Sequence, residues 1–307
     1  MYPVRAKKHL GQHFLNDENI ARKITENLKL PCDAVLEVGP GTGVLTKYLL
    51  EMLDSSTSVK EENSVKEKLE SSPSVNVGNS VKQVLETSAA LEDNKNGSIK
   101  QFLTLDVDRD SIAYLKETYP DHAAIFREAD FLRFNPEEFF KGCFSVIGNF
   151  PYNISSQIFF KVLDHVDQIP EVVCMLQKEV AERIAAPPGS KTYGILSVLL
   201  QAWYNIEYLF TVEPHLFIPP PKVRSAVIRL TRNTTTELGC DPIMFKTVVK
   251  TAFNQRRKTL RNALKSLNIT LSEEMNEMLD KRAERLSVAD FVYITNSLAI
   301  RPTDQKG

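Results

Sequence analysis

The residues of this chain best suited to chemistry lie together in Gly148 to Ser155, which reads G-N-F-P-Y-N-I-S. The apolar run Phe144, Val146, Ile147 precedes them, so Asn149 is expected just past the carboxyl end of a buried strand, where open α/β sheets bind their ligands. The Asn149 side-chain oxygen and the Phe150 carbonyl can both accept hydrogen bonds from an NH2 group, Pro151 locks φ in the turn, and Tyr152 offers a flat face on which a base can lie. Two acceptors hold the lone pair of an aromatic amine out of conjugation with its ring. In that state the nitrogen can attack a methyl sulfonium without a strong base. The plainer alternative is a strand-to-helix turn with a proline and a packed tyrosine. Asn153-Ile-Ser-Ser156 reads as the following helix start, capped by Ser155 or Asn153.

These residues need a scaffold, and the chain shows the pattern of one. Ala34 to Val38 is a short apolar run followed by Gly39, Pro40, Gly41, Thr42, Gly43 and then the helical pattern Val44, Leu45, Tyr48, Leu49. This is strand, glycine turn, helix, the first half of a nucleotide-binding βα unit. Further strand candidates are Phe102 to Leu105, Ala124 to Phe126, Phe144 to Ile147, Val172 to Leu176, Ile206 to Val212 and Ala226 to Leu230. Helical patterns separate most of them, which predicts a mainly parallel sheet covered on both faces. After Leu230 the pattern is helical only, over Pro242 to Phe253, Thr259 to Leu267, Ser272 to Leu279 and Val288 to Leu298. The segment 54–98 breaks the rhythm: it is rich in Ser, Asn, Glu, Lys and Val, lacks aromatic residues, and repeats Asn63-Ser-Val-Lys-Glu-Lys-Leu-Glu70 imperfectly as Asn79-Ser-Val-Lys-Gln-Val-Leu-Glu86. Such a composition buries too little apolar area to offset its ordering entropy. It reads as a mobile insertion, with an interaction arm of transient helices as the alternative.

Glycines 39, 41 and 43 let backbone N–H groups approach a ligand closely, although their spacing is not the dehydrogenase G-x-G-x-x-G. The second strand ends in Leu105-Asp106-Val107-Asp108, where the Asp106 carboxylate can accept from both hydroxyls of a ribose. Gly39 to Asp106 is 67 residues, and removal of the insertion leaves about 24, near the ~20 expected of such an acid. Beyond the third strand Asp130 can accept from an adenine amine and Phe131 can border its ring. The alternative for either Asp is a helix cap.

The bulk numbers set limits. The 307 residues carry a formal net charge of -1, yet Leu216 to Lys265 holds eleven Lys and Arg against two acids, a basic face on a neutral protein. Cys32, Cys143, Cys174 and Cys240 show no C-x-x-C spacing and the five histidines do not pair, which argues against a metal site and a disulfide framework. No apolar run nears the ~18 residues of a membrane span and the first residues lack a secretory core, so the expectation is a soluble, cytoplasmic protein.

Seven motifs together carry a family resemblance: His9-Leu-Gly-Gln-His-Phe-Leu-Asn16, Glu37-Val-Gly-Pro-Gly-Thr-Gly43, Asp106-Val-Asp-Arg-Asp110, Gly148 to Ser155, Leu176-Gln-Lys-Glu-Val180, Phe217-Ile-Pro-Pro-Pro-Lys-Val-Arg-Ser225 and Phe253-Asn-Gln-Arg-Arg-Lys-Thr-Leu-Arg-Asn262. In this order the chain resembles the KsgA-type ribosomal RNA small-subunit adenine N6-dimethyltransferases, over nearly its whole length outside the insertion. The resemblance implies an α/β fold: a Rossmann-like class I methyltransferase sheet, mostly parallel with one antiparallel strand, over residues 1–234, then a small all-helical RNA-binding domain over 235–307. It implies S-adenosyl-L-methionine as cofactor, with contacts at His13, Leu15, Gly39, Gly41, Asp106, Asp130 and Asn149. Where the family commonly has Asn, Glu and Leu, this chain has His13, Asp106 and Phe150.

For the substrate, Asn149 and the Phe150 carbonyl would orient the amine, with Pro151 shaping the turn and Tyr152 and Phe217 sandwiching the base, since stacking must offset the loss of the base's own stack. Phe217 as plain core is the alternative. Arg224, Arg256, Arg257, Lys258 and Arg261 are candidates for RNA phosphate contact, the run from Gln255 to Arg261 being read as almost two helical turns; a solvated helix face is the bland reading. Arg5, Lys7 and Lys8 would add phosphate contacts or form a frayed tail. The implied activity is dimethylation of N6 of two adjacent adenosines near the 3′ end of 16S rRNA, on an immature 30S particle, by a monomer with a role in ribosome biogenesis and without metal. Two rivals stand beside it: a large-subunit rRNA adenine methyltransferase of the erythromycin-resistance type, and a non-catalytic ribosome-assembly or nucleic-acid-binding factor.

Overall fold

The computed structural model describes residues 4–55, 99–267, 269–270 and 275–300; the insertion from residue 56 onward lies outside them. In chain order the elements are β1 (Phe14–Leu15), α1 (Glu18–Thr25), β2 (Ala34–Val38), α2 (46–55), β3 (Gln101–Asp106), α3 (Arg109–Thr118), β4 (Phe126–Glu128), β5 (Ser145–Asn149), α4 (Ser155–Asp164), β6 (Glu171–Gln177), α5 (Lys178–Ala185), α6 (Ile195–Gln201), β7 (Tyr204–Val212), β8 (Phe217–Ile218) and β9 (Ser225–Arg232). The helices α7 (Pro242–Asn254), α8 (Leu260–Ala263), α9 (Asn276–Leu279) and α10 (Val288–Asn296) follow.

Seven strands form one sheet in the order β4-β3-β2-β5-β6-β9-β7. The first five run parallel, and β9 alone is reversed, antiparallel to both β6 and β7. The central strands carry apolar residues without alternation because both sheet faces are covered. On one face Leu36, Val146, Val172, Cys174 and Ile228 pack with Ile158, Phe159 and Ala181 of the helices. On the other, Val35, Ile147, Val173 and Val227 pack with Ala21, Ile24 and Leu49. The strand expected at Ala124 begins instead at Phe126, because Pro120–Ile125 coil into a 3-10 turn.

The helices after β9 do not close a core by themselves. Tyr193, Val198, Leu199 and Ala202, from and around α6, share one buried cluster with Phe245, Val249, Leu260 and Phe291. α6 thus serves as the shared wall between sheet layer and helices.

One expectation is corrected here. Cys32 and Cys143 are joined in a disulfide, with Cα atoms 5.9 Å apart. β2 and β5 are parallel neighbours with Val35 opposite Ser145, so the residues just before them lie side by side although 111 positions separate them. Sequence spacing carries no trace of that adjacency.

Candidate functional site

The carboxyl ends of β2, β3 and β5 and the loop after β4 surround a cleft of about 220 Å³, and the N-terminal segment crosses it as a strap. Its floor is made by close backbone packing. A Cβ on Gly148 would sit 2.3 Å from the Val38 carbonyl oxygen, and one on Gly41 (φ +57°) would meet the Phe14 ring at 2.8 Å. Only glycine lets β5 lie against β2, and the strap against the glycine turn, at these distances.

At the end of β3, Asp106 is 8% exposed. Its two oxygens accept from the backbone N–H groups of Asp108 (2.8 Å) and Gly41 (3.4 Å). Burial pushes its pKa up to about 6, with those N–H donors pulling the other way. Two residues on, burial would raise the Asp108 carboxyl, but Lys7 and Gln12 hold it below the usual carboxylate range. Lys7 Nζ lies 2.5 Å from Asp108 and 2.7 Å from Asp110, and Gln12 donates to Asp108 at 2.8 Å. The expected frayed tail is therefore a fastened strap, and Lys7 is committed to carboxylates rather than free for phosphate.

Farther along, β1 pairs with β8 (Phe14 with Ile218, Leu15 with Phe217) and the Asn16 N–H donates to the Leu216 carbonyl at 2.8 Å. Between these anchors the Asn149 side-chain amide donates to the His13 carbonyl at 2.9 Å. Because a carbonyl only accepts, the amide orientation is fixed, and Asn149 Oδ1 is left as the acceptor on the cleft side. The Phe150 N–H donates to the Met175 carbonyl at 2.9 Å, which sets the next peptide plane. The Tyr152 hydroxyl lies 2.5 Å from Ser225 Oγ, and its ring stacks on His13 with centroids 5.4 Å apart. Burial raises the Tyr152 phenol above its ordinary value, so it is neutral at physiological pH. His13 Nδ1 lies 2.8 Å from the Pro219 carbonyl, so that nitrogen carries the proton.

His13, Gly39, Gly41, Asp106, Asp130, Asn149, Phe150, Pro151 and Tyr152 all line this one cleft. The Phe150 side chain is fully buried, which leaves its backbone to face the ligand. Leu15, 3% exposed, reaches only a side recess of about 20 Å³. Asp130 Oδ1 accepts from the Leu132 N–H at 2.9 Å, so it caps its own turn, while Oδ2 lies 3.8 Å from Nε of the exposed Arg133.

Four expectations are corrected. Phe217 is 1% exposed and lies in the core with Leu15 and Val227; its register opposite Leu15 turns both side chains to the same, inner side, so its ring is not available to sandwich a base. Phe131 is likewise core, and Leu132 takes its place on the cleft wall. Neither Ser155 nor Asn153 caps α4, whose N-cap is Ile154. The basic run is not a continuous helix: α7 ends at Asn254, residues 255–258 turn, and α8 starts at Leu260.

Within that turn Arg256, Arg257 and Lys258 are all exposed. Arg256 bonds the Lys191 carbonyl and lies 3.9 Å from Glu284, and Arg261 is held by Asp280 (3.2 Å) and Asn276 (2.9 Å). Arg224 sits 4.0 Å from Glu213. Arg257 and Lys258 have no anionic partner among the described residues. Gln12, Asn153 and Leu132 also line the cleft; the first two sit inside recognised motifs without having been singled out as site residues, and Leu132 had only its nearness to Asp130 as a signal. Among the described residues no three His, Cys, Asp or Glu cluster as metal ligands, and no helix is long and apolar enough to cross a membrane.

Residues 4–299 match the ribosomal RNA adenine dimethylase family. This chain belongs to that family. Proteins named ribosomal RNA small subunit methyltransferase A from Bacteroides fragilis and Cytophaga hutchinsonii are each 48% identical to it, over 96% and 97% of this chain and 93% and 99% of their own. A dimethyladenosine transferase from Plasmodium falciparum shares the fold with a TM-score of 0.66 at 23% identity, covering 92% of this chain and 96% of its own. The 23S rRNA methyltransferase ErmE does so with a TM-score of 0.58 at 21% identity, covering 92% and 99%. The shared fold alone thus does not choose between RNA targets.

Methyltransferases of this family use S-adenosylmethionine, and the cleft fits it. The glycine turn leaves room for a ligand against backbone, Asp106 offers carboxylate oxygens at the end of β3, and Asp130, whose Oδ2 has only a 3.8 Å ion pair with the exposed Arg133, lines the cleft as an acceptor for an amine. When bound, the cofactor supplies an electrophilic methyl group on a sulfonium.

Proposed function

We propose that this chain dimethylates N6 of two adjacent adenosines near the 3′ end of 16S rRNA, acting as a cytoplasmic monomer on an immature 30S particle. The observation that carries the reading is the pinned Asn149 amide: one of its N–H groups donates to the His13 carbonyl, which fixes the orientation of the amide and leaves Oδ1 as an acceptor for the incoming group. An adenine amine is a pure donor of two protons and matches the pair formed by Asn149 Oδ1 and the Phe150 carbonyl.

Held by these two acceptors, the amine nitrogen pyramidalises and its lone pair turns out of the ring plane. The charge that develops on nitrogen during attack faces two fixed dipoles, the preorganised kind of stabilisation that carries much enzymatic acceleration. After transfer the nitrogen is acidic enough to lose its proton to water, so no residue has to act as a strong base. Tyr152 supplies one stacking face, kept in place by Ser225 and backed by His13. The first methylation leaves one N–H, which a single acceptor can hold for the second.

The relatives at 48% identity carry small-subunit names, which favours the small-subunit target over an erythromycin-resistance type of activity. The test is mass spectrometry of both ribosomal RNAs from cells with and without the gene, together with incubation of purified protein, labelled cofactor and undermethylated 30S particles. Dimethyladenosine at an adjacent pair in the small-subunit RNA is the expected result. Label confined to large-subunit RNA, or none, refutes the proposal.

A further inference from the structure

We infer that a second cavity, on the other side of the His13–Tyr152 ring pair, is a subsite for the RNA nucleotide next to the adenosine undergoing methylation. The inference rests on the functional reading above. The cavity measures about 430 Å³ and shares Gly11, Gln12, His13 and Tyr152 with the cofactor cleft. The two stacked rings therefore form a partition with a cavity on either side. Its position is what a strand of RNA requires: consecutive nucleotides cannot occupy the same cleft, so the neighbour of a base held at Asn149 must be received close to Tyr152.

The chemistry of the walls fits a nucleotide. Pro219, Pro220, Pro221 and Val223 give a stiff apolar surface, with Val223 44% exposed, and such surfaces accept a base face without demanding a sequence. Gln177, at the end of β6, lines the cavity, and a Gln amide can donate to N7 and accept from N6 of an adenine at once. Lys8 and Lys222 stand exposed at the rim with no anionic partner among the described residues, placed for phosphates. His13 joins the two halves: its carbonyl orients Asn149 and its ring nitrogen binds Pro219. With one adenosine against Asn149, its neighbour rests against Gln177, and Lys222 and Val223 set its register.

The test uses the full chain and undermethylated 30S particles. Gln177→Ala and Val223→Ser should each raise KM for the particle at least fivefold, with kcat within twofold and cofactor Kd unchanged. Val223→Ser alters no charge, so its effect reports contact rather than field. Independently, benzoylphenylalanine placed at position 223 should photo-crosslink within one nucleotide of the methylated pair, as mapped by primer extension. Crosslinks elsewhere in the RNA, or KM within twofold of wild type in both variants, overturn the inference. If the wild-type enzyme labels no small-subunit adenosine, the functional reading itself fails and takes this inference with it, an outcome told apart because it needs no variant.

Discussion

Replacing Asn149 by alanine removes two interactions of different kind, and their separation tests the mechanism. The first is the acceptor at Oδ1, which acts on the charge developing at nitrogen; loss of one preorganised contact of this type lowers kcat about 10²–10³-fold, or roughly 2.7–4 kcal/mol. The second is the 2.9 Å bond from the amide to the His13 carbonyl. Losing it leaves a carbonyl unpartnered under the strap, at about 1–3 kcal/mol when fully buried, with the strap still held by Lys7, Gln12 and the β1–β8 pair. Methyl transfer should therefore fall below one percent of wild type, whereas cofactor Kd stays within about tenfold. Single-turnover transfer of labelled methyl to undermethylated 30S particles measures the first quantity and calorimetry the second. A variant that retains more than a tenth of the wild-type rate would refute the assignment of Oδ1, and a cofactor Kd raised a hundredfold with the rate at saturation unchanged would make Asn149 a cofactor ligand instead.

Three further outcomes are expected. Asp106 has a pKa near 6 in the free protein, and its carboxylate form is the better acceptor for ribose hydroxyls; cofactor affinity should weaken as pH falls through 6, by up to about tenfold per unit, and Asp106→Asn should bind weakly with a flat profile between pH 5 and 8. Burial raises Glu37 to about 8, with the Thr46 hydroxyl opposing and Asp106 adding to the shift. A folded-state pKa above the ordinary 4.5 contributes stability that is complete below 4.5 and lost as pH rises toward 8, so Glu37→Gln should gain on wild type across that window, by a few kcal/mol in order of magnitude, as read from denaturant melts at pH 5 and 8. Arg257 and Lys258 have no anionic partner among the described residues; the double alanine variant should lower the slope of log affinity against log salt by about 1.4, the value for two contacts to single-stranded RNA, with cofactor binding untouched.

The sheet was legible because its strands are buried on both faces, and Val172 to Leu176 can hardly be anything but a central strand. The cleft was legible for a related reason: Gly39, Asp106 and Asn149 each follow such a run, and parallel connection brings strand ends to one edge. What the sequence concealed depends on register. Phe217 was plausible as a stacking ring until its pairing with Leu15 turned it inward, and a shift by one residue would have reversed that outcome. The Cys32–Cys143 bridge depends on β2 lying beside β5. Arg261 looked free until Asp280, nineteen residues later, closed on it.

Two of the three departures from the common family residues, His13 and Asp106, lie in one connected structure, and the strap explains how both are accommodated. The shorter carboxylate of Asp106 is steadied by N–H donors from Gly41 and Asp108, and Asp108 is in turn bound by Lys7 and Gln12 of the strap. One residue past Gln12, His13 presents its carbonyl to Asn149 and its ring to Tyr152. The segment that steadies the proposed ribose acceptor therefore also orients the proposed amine acceptor. Fastening it by ion pairs at one end and by strand pairing at the other places both groups relative to each other with little freedom left, which is the condition under which an enzyme that relies on positioning rather than on a strong base gains its rate.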